Sequence, residues 1–412
     1  MKVPSGGAAR AVVVGGSIGG LSAGLALRSS GFDVTVHERA GSALTDRGAG
    51  IIAHEATLRA VLQRGAAGLD ELSIPSRLLR YLDASGSTTH EEPNGYRFTS
   101  WQTLHRSLLH CLGPQTCRMG DTFVDFDQDA DGVSVRFQDG REERCDLLVC
   151  VDGISSTGRR ILFPEVAPRY AGYVGWRGTA RRDELPPGLF ERLAADITYQ
   201  LLDRGHVLSY PIPSATAPSE RSARSVNWVW YRNVAEGPPF DELMTDVGGG
   251  HRALSMPPGA LRPEAAAELR SAAESTLPGP LGELVCVTAE PFVQVIVDAK
   301  VVSMAVGRVC LLGDAAFVAR PHAAAGTAKA AEDAWQLGQV LAGHPADLAG
   351  ALARWDARQT ALGSALVDRS AELGDSCQFR GEWRPGDPAL LFGLREAGDS
   401  CFPAGDPAGA GG

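Results

Sequence analysis

"VVVGGSIGGLSAGLALRSSGFDVTVHER", residues 12–39, decides the fold. Its opening valines are a short β-branched run, the mark of a strand buried on both faces. "GGSIGG" at 15–20 is a tight turn, and "LSAGLALRSSG" has helical apolar spacing that stops at Gly31, a C-cap glycine. "DVTVHER" alternates and closes a βαβ unit. A dinucleotide pyrophosphate needs a sharp turn, close backbone approach and a helix N-terminus aimed at it. Gly15 supplies the turn, and Gly20 lets the helix pack on the strand. Ser17 replaces the usual middle glycine, with a hydroxyl that can meet a phosphate beside Ile18. Glu38 ends the second strand about 20 residues on, where an acid takes ribose hydroxyls. The alternative is a strand–helix turn that binds nothing.

The rest of the chain sets bounds on that reading. At 412 residues it is long enough for two or three units around a sizeable core. Asp plus Glu outnumber Lys plus Arg by 49 to 39, a net charge of −10 that argues against a nucleic-acid partner. No apolar run approaches the roughly 18 residues needed to span a bilayer. The eight cysteines are scattered with no CxxC pair or metal spacing, so free thiols and a cytoplasmic location are expected. Cys150 and Cys310 sit in apolar strands as small core residues. "YVGWRGTA", "DITYQLLDRGHVLSYPIP" and "SVNWVWYRNV" alternate, carry aromatics and predict an inserted antiparallel sheet. Residues 330–370 have helical periodicity, and the Gly/Pro/Ala-rich end reads as a disordered tail.

Two further motifs carry chemistry. "CDLLVCVDGISSTGRR" brings Asp152 to a strand end, followed by Gly153 and Arg159. Asp152 as a helix cap, with Arg159 paired to it, is the purely structural alternative. "RVCLLGDAAFVARPHAAAGTAKAAEDAW" runs a buried strand into Gly313 and Asp314, then a turn of small residues, then a helix from near Gly326. That helix would aim its positive end above the turn, and Ala323–Ala325 would let a flat ring lie close to the backbone.

Three motifs in this order, GxSxxG…E, DG and GD…P, resemble the class A flavin-dependent aromatic hydroxylases over residues 10–370. "GWRGT", "NWVWYRNV" and the stretch 313–335 look most like the 2,6-dihydroxypyridine 3-hydroxylase branch. The resemblance implies an α/β protein: a Rossmann-like FAD-binding domain, an inserted antiparallel-sheet substrate domain and a C-terminal helical segment. It places the FAD-binding domain at 8–75, 100–170 and 298–340 and the substrate domain at 76–99 and 171–297. The helical region follows at 341–395 and the tail at 396–412. It assigns Gly15, Ser17, Ile18, Gly20, Glu38 and Arg39 to the ADP half of FAD. Asp152, Gly153 and Arg159 match a motif serving FAD and the transient NADH or NADPH. Gly313 and Asp314 match the motif that holds the ribityl chain. Arg47, Gly50 and Ile51 match the loop beside the isoalloxazine, Pro321 its wall, and Gly326, Thr327 and Ala328 the segment after it.

The chain departs from its relatives twice. Where many carry Arg it has Trp101, which leaves Gln102 or Arg106 to take a phosphate. Where many read GGQGxN it has "AAAGTA", which predicts a flavin pocket rearranged around His322 and Lys329.

The implied chemistry is reduction of FAD by NADH or NADPH, addition of O2 as a C4a-hydroperoxide, and hydroxylation of a small aromatic substrate. A hydroxypyridine or related phenolic ring is the expected substrate, in pyridine catabolism or pyridinol natural-product biosynthesis. His322, Tyr210 and Pro321 are the leading catalytic candidates, with His206, Tyr231 and Arg177 behind them. His322 as a helix cap, Tyr210 as a sheet tyrosine and Arg177 paired with a core acid are the structural alternatives. No metal, nucleic acid or membrane is expected, and a homo-oligomer is left open. A flavin oxidase or reductase of the same fold and a non-catalytic FAD-binding protein are the rival functions. "WVW" also invites comparison with flavin halogenases, but Tyr231-Arg232 follows where their motif continues otherwise.

Overall fold

The structure is a computed structural model describing residues 8–41, 50–214, 224–343 and 347–395. Arg47 and the 396–412 tail lie outside the described residues.

The β-branched opening strand Arg10–Val14 sits inside a six-stranded sheet. It pairs in parallel with Leu147–Cys150 on one side and Asp33–Glu38 on the other. Val309–Leu311 and Cys117–Met119 extend the parallel run, and Ala305–Val306 adds an antiparallel edge. Ala11–Val14 and Leu147–Cys150 are fully buried, as strands covered on both faces must be. The helices Ile18–Ser29 and Gly326–Gly343 pack against each other over this core. A three-stranded antiparallel sheet, Phe123–Gln128, Val133–Phe137 and Glu142–Cys145, contributes Phe126, Val133 and Val135 to the same cluster.

A second, larger sheet holds the three aromatic segments. Its order is Ser255–Met256, Phe292–Lys300, Arg169–Arg181, Arg224–Asn233, Gly205–Pro213, Ile197–Leu202, Leu78–Leu82 and Thr88–Pro93. The period-2 alternation divides its faces. Val174, Trp176, Val226, Trp228 and Trp230 join the core formed with helices Pro263–Thr276 and Pro280–Val287. Tyr173, Val229, Tyr231, Leu208 and Tyr210 join a different cluster on the opposite face.

That second face meets the parallel sheet's domain. After Val309–Leu311 the chain turns at Gly313–Ala315, and Phe317–Val318 then pairs with Ala299 and Lys300 of the large sheet. The turn Pro321–Ala325 is thereby held between the two sheets. Gly50–Ile52 pairs with Arg97–Ser100 at the same junction. The expected C-terminal helix is Leu348–Gln378. Past it, the chain folds back as an irregular strap that buries Trp383, Phe392 and Leu394. No helix among the described residues is long and apolar enough to cross a membrane. None of their His, Cys, Asp and Glu residues cluster as a metal site.

Candidate active site

The nucleotide end is built by close packing. Gly15 has φ +108°, and a Cβ there would lie 2.2 Å from the Val151 carbonyl oxygen. A Cβ on Gly20 would fall 1.7 Å from the Gly15 carbonyl oxygen. Ser17 is the N-cap of Ile18–Ser29 but makes no side-chain cap, so the first-turn N–H groups point outward without a protein acceptor among the described residues. Glu38 accepts from Gly16 N at 2.8 Å and Ala40 N at 2.9 Å, which fixes its carboxylate at the mouth of the turn. The remaining lone pairs can take ribose hydroxyls. Arg39 is exposed beside it. These features fit a dinucleotide pyrophosphate.

The second and third motifs are bolted together. Asp152 Oδ2 accepts from Thr157 N at 2.7 Å, while its buried Oδ1 has no partner among the described residues. Arg159 does not pair with Asp152. Its buried guanidinium donates to the carbonyls of Asp314 (2.9 Å), Ala315 (3.1 Å) and Ile154. The Asp314 turn is thus braced from the DG motif, 155 residues earlier in the chain. Gly313 has φ +56°, and its N–H donates to Asp333 Oδ2 at 3.1 Å. The Asp314 carboxylate, partly buried at the strand end, has no hydrogen-bond partner among the described residues. Burial pushes its carboxyl up to about 6, against the opposing pull of Arg159. An unpartnered carboxylate here suits a ligand rich in hydroxyl donors.

On the ring side, Ala325 leads into the helix Gly326–Gly343 without a side-chain cap, and Lys329 N bonds its carbonyl at 2.8 Å. Thr327 is partly exposed and Ala328 buried in the first turn. Ala324 holds φ +53° and ψ 28°, the left-handed region that favours glycine. Its carbonyl accepts from His54 Nε2 at 2.8 Å, and Gly393 N of the strap reaches Ala323 O at 3.0 Å. A left-handed alanine costs about 1–2 kcal/mol, and glycine returns about 0.5–1 of it in chain entropy. Ala324→Gly is therefore expected to raise stability by about 0.5–1 kcal/mol, read as a shift in urea midpoint at unchanged slope.

The expectation that Lys329 reshapes the flavin pocket is corrected. Its ammonium is fully buried and pairs with Asp333 one turn on in its own helix, near Met304 and over Phe317. Burial of a long cation is tolerable only with such a partner. His322 does not cap the helix. It is buried, with Nε2 at 2.7 Å from the Tyr173 hydroxyl and Nδ1 unpartnered among the described residues. It packs among His206, Tyr231 and Trp383 at centroid distances of 5.4, 4.7 and 5.7 Å. Burial, with His206 and Arg320 adding to it, holds it well below the ordinary histidine range. Pro321 is partly buried at the head of this turn.

Tyr210 is a sheet tyrosine with its hydroxyl committed. It donates to Gly50 O at 2.8 Å and stacks on Phe98, and burial pushes its phenol up to about 12. It positions the Gly50–Ile51 loop, whose Gly50 N donates to Asn227 Oδ1 at 2.9 Å. Arg177 has no acidic partner among the described residues, so the core ion pair is absent there.

His206 stacks on Trp383 (4.5 Å) with Nδ1 3.1 Å from Cys377 Sγ, and burial pulls it down to about 3. The unfolded chain therefore takes up a proton that the folded chain refuses as pH falls from about 6.5 toward 3. His206→Phe is expected to flatten the loss of stability between pH 7 and 4.5, measured by urea midpoints. An unchanged slope would refute it.

Sequence reasoning missed His105 and Trp383. His105 donates from Nε2 to Gly16 O at 2.9 Å and is stacked by Trp101 (4.4 Å, 15°). Trp101 thus braces the residue that holds the Gly16 turn. The i, i+4 spacing of Trp101 and His105 on one helix was the available signal. Gln102 lies partly buried in the first turn of that helix, and Arg106 is exposed in the second with no ion pair among the described residues. Trp383 gave no local signal, because it arrives from the C-terminal strap.

Comparisons with known proteins agree with this geometry. A family model described as FAD binding domain-like matches residues 170–298. The 2,6-dihydroxypyridine 3-monooxygenase of Paenarthrobacter nicotinovorans is 40% identical over 387 residues, covering 93% of this chain and 96% of that protein. The solved structure of 2,6-dihydroxypyridine-3-hydroxylase from Arthrobacter nicotinovorans superposes with TM-score 0.89 at 38% identity, covering 98% of this chain and 100% of that one. Klebsiella pneumoniae HpxO complexed with FAD and uric acid superposes with TM-score 0.73 at 25% identity, covering 90% and 89%.

Proposed function

The chain belongs to the class A FAD-dependent aromatic hydroxylases, and on that premise we propose that it hydroxylates a hydroxypyridine or related phenolic heteroaromatic ring with NADH or NADPH and O2. One observation carries the reading. The unpartnered Asp314 carboxylate stands at a strand end, and just beyond it a thin alanine turn faces a polar, aromatic sheet surface. When bound, FAD takes up reducing equivalents from the nicotinamide and activates O2 for transfer of one oxygen atom.

The chain's own residues do the rest. Gly15, Ser17, Ile18 and Gly20 bring backbone to the pyrophosphate, with Gln102 and Arg106 on the facing helix. Glu38 and Arg39 take the adenosine side. Asp314 accepts from the ribityl hydroxyls, with Gly313 set by Asp333 and the turn braced by Arg159 from beside Asp152 and Gly153. Pro321 and the alanine turn form the wall of the ring site, and the N–H groups of Gly326, Thr327 and Ala328 favour negative charge there. Gly50 and Ile51, held by Tyr210 and Asn227, close it from the other side. His322, neutral and with Nδ1 free, exchanges a proton with the ring hydroxyl. The sheet and the strap exclude water.

The test is nicotinamide oxidation by the FAD-loaded protein with a panel of hydroxypyridines and phenols, using isotopically labelled O2 and mass spectrometry. Oxidation that rises sharply with one ring, with a product heavier by one labelled oxygen atom, is expected. Hydrogen peroxide as the sole product with every ring would move the oxidase reading ahead.

A further inference from the structure

Arg177 is a buried cation without a counterion among the described residues. Its residue is 9% exposed, its Nε is sealed from solvent without an acceptor, and its terminal nitrogens have no hydrogen-bond or ion-pair partner there. Other deeply buried cations differ. Arg159 and Arg308 donate to carbonyls, Arg320 pairs with Asp298 and Asp375, and Lys329 pairs with Asp333. Removing a charge from water without a partner is costly, so an unpaired one implies a missing acceptor.

The strand register shows where that acceptor would sit. Arg177 lies on Arg169–Arg181 between Val229 and Phe292, and it shares a face with Tyr173, Gly175 and Thr179. This is the face whose Tyr210 and Asn227 grip Gly50. Thr179 stands directly opposite Asn227, whose Nδ2 is a second buried donor without an acceptor among the described residues. Two orphan donors, one of them cationic, thus neighbour each other across adjacent strands. At the far end of the same row, Tyr173 holds His322. Between them Gly175 has no side chain, and the space its Cβ would take is bordered by Tyr231 and Ile296 at 3.4 and 3.7 Å. Same-face strand neighbours stand about 7 Å apart, so Tyr173 and Arg177, two such steps apart, stand about 14 Å from each other along the strand with Tyr231 and Ile296 alongside.

We infer that Arg177 and Asn227 form the recognition site for an anionic ring oxygen of the substrate, with the ring lying over Gly175 toward His322. The inference rests on the aromatic-hydroxylase reading and narrows it to rings that enter as oxyanions. Holding the oxyanion keeps the ring electron-rich, as attack by an electrophilic oxygen requires.

The test titrates FAD-loaded protein with 2,6-dihydroxypyridine and with 2,6-dimethoxypyridine, followed by flavin absorbance across the pH range in which the hydroxypyridine ionises. Wild type is expected to bind the ionised hydroxypyridine about 10- to 100-fold tighter than the methoxy ring. Arg177→Gln should lose that preference and its pH dependence, with FAD content and dimethoxypyridine affinity unchanged, while Arg177→Lys restores part of the preference. Gly175→Val reads the same site without touching the charge: ring affinity falls at least about tenfold while FAD stays bound. Hydroxylation by wild type with unaltered ring preference in Arg177→Gln overturns the inference alone. So does loss of FAD from Arg177→Gln, which would assign Arg177 to the flavin. Wild type that separates neither analogue and hydroxylates no ring overturns the proposed function and the inference with it.

Discussion

A Gly20→Ala protein is expected to be isolated colourless, without FAD, and with markedly lower stability. The added methyl would sit 1.7 Å from the Gly15 carbonyl oxygen, a contact with backbone that no rotamer can relieve. The helix Ile18–Ser29 must then move off the strand Arg10–Val14, or Gly15 must change its φ of +108°. Neither is free, because Gly15 N is tied to His37 O at 2.8 Å and Gly16 O to His105 at 2.9 Å. Overpacking of this kind costs about 3 kcal/mol or more, and displacing the helix N-terminus removes the anion site along with it. The check is the flavin-to-protein absorbance ratio after reconstitution with excess FAD, together with a urea melt of each apoprotein. A yellow variant melting with wild type would show that the turn has slack the packing does not reveal. Gly31→Ala serves as the control, since nothing lies within 4 Å of its Cβ position and its φ of +92° costs only local strain.

Replacing Asp314 by asparagine is expected to move apoprotein and holoprotein in opposite directions. The carboxyl is raised to about 6 from an ordinary 3.8 by burial. A folded value above the unfolded one means that the folded chain keeps a proton the unfolded chain releases. Apoprotein stability from this group is therefore full below pH 4, falls as pH rises toward 6, and stays level above. The loss at neutral pH is about 1–2 kcal/mol, less than the whole shift because the carboxyl is partly open to solvent. An asparagine side chain does not titrate, so the Asp314→Asn apoprotein should be the more stable at pH 7.5 and lack this slope. FAD binding should weaken by about 10- to 100-fold, the worth of hydrogen bonds to a charged acceptor. Urea midpoints of deflavinated and reconstituted protein between pH 4.5 and 7.5, with FAD affinity from fluorescence quenching, read both effects. Wild-type affinity in the variant would remove Asp314 from the ribityl site.

Local pattern was enough to locate the strand, turn and helix of the first βαβ unit. The valine run, the turn glycines, the helical spacing to Gly31 and the alternation to Glu38 are all nearest-neighbour signals, and each lies where it was read. The buried strand ending in Gly313-Asp314 and the aromatic hairpins of the large sheet were legible for the same reason: side-chain period follows backbone geometry. The residues that tune the site were not. Arg159 reaches Asp314 across 155 positions, His322 reaches Tyr173 across 149, and His206 meets Cys377 across 171. Their partners depend on how two sheets and a C-terminal strap come together, and no periodicity records that. His322 could be read from sequence as lying by the ring, but not as a buried imidazole sealed among four aromatic neighbours. Lys329 could be read as near the flavin, but not as turned into its own helix to satisfy a buried charge.

The order of residues along the chain was sufficient to say where strand, turn and helix can hold a dinucleotide, because those features follow from covalent geometry and local apolar spacing. Packing in three dimensions was needed to settle which polar groups find partners and which are left waiting for a ligand. Desolvation acts on every atom that packing brings near, whatever its distance along the chain.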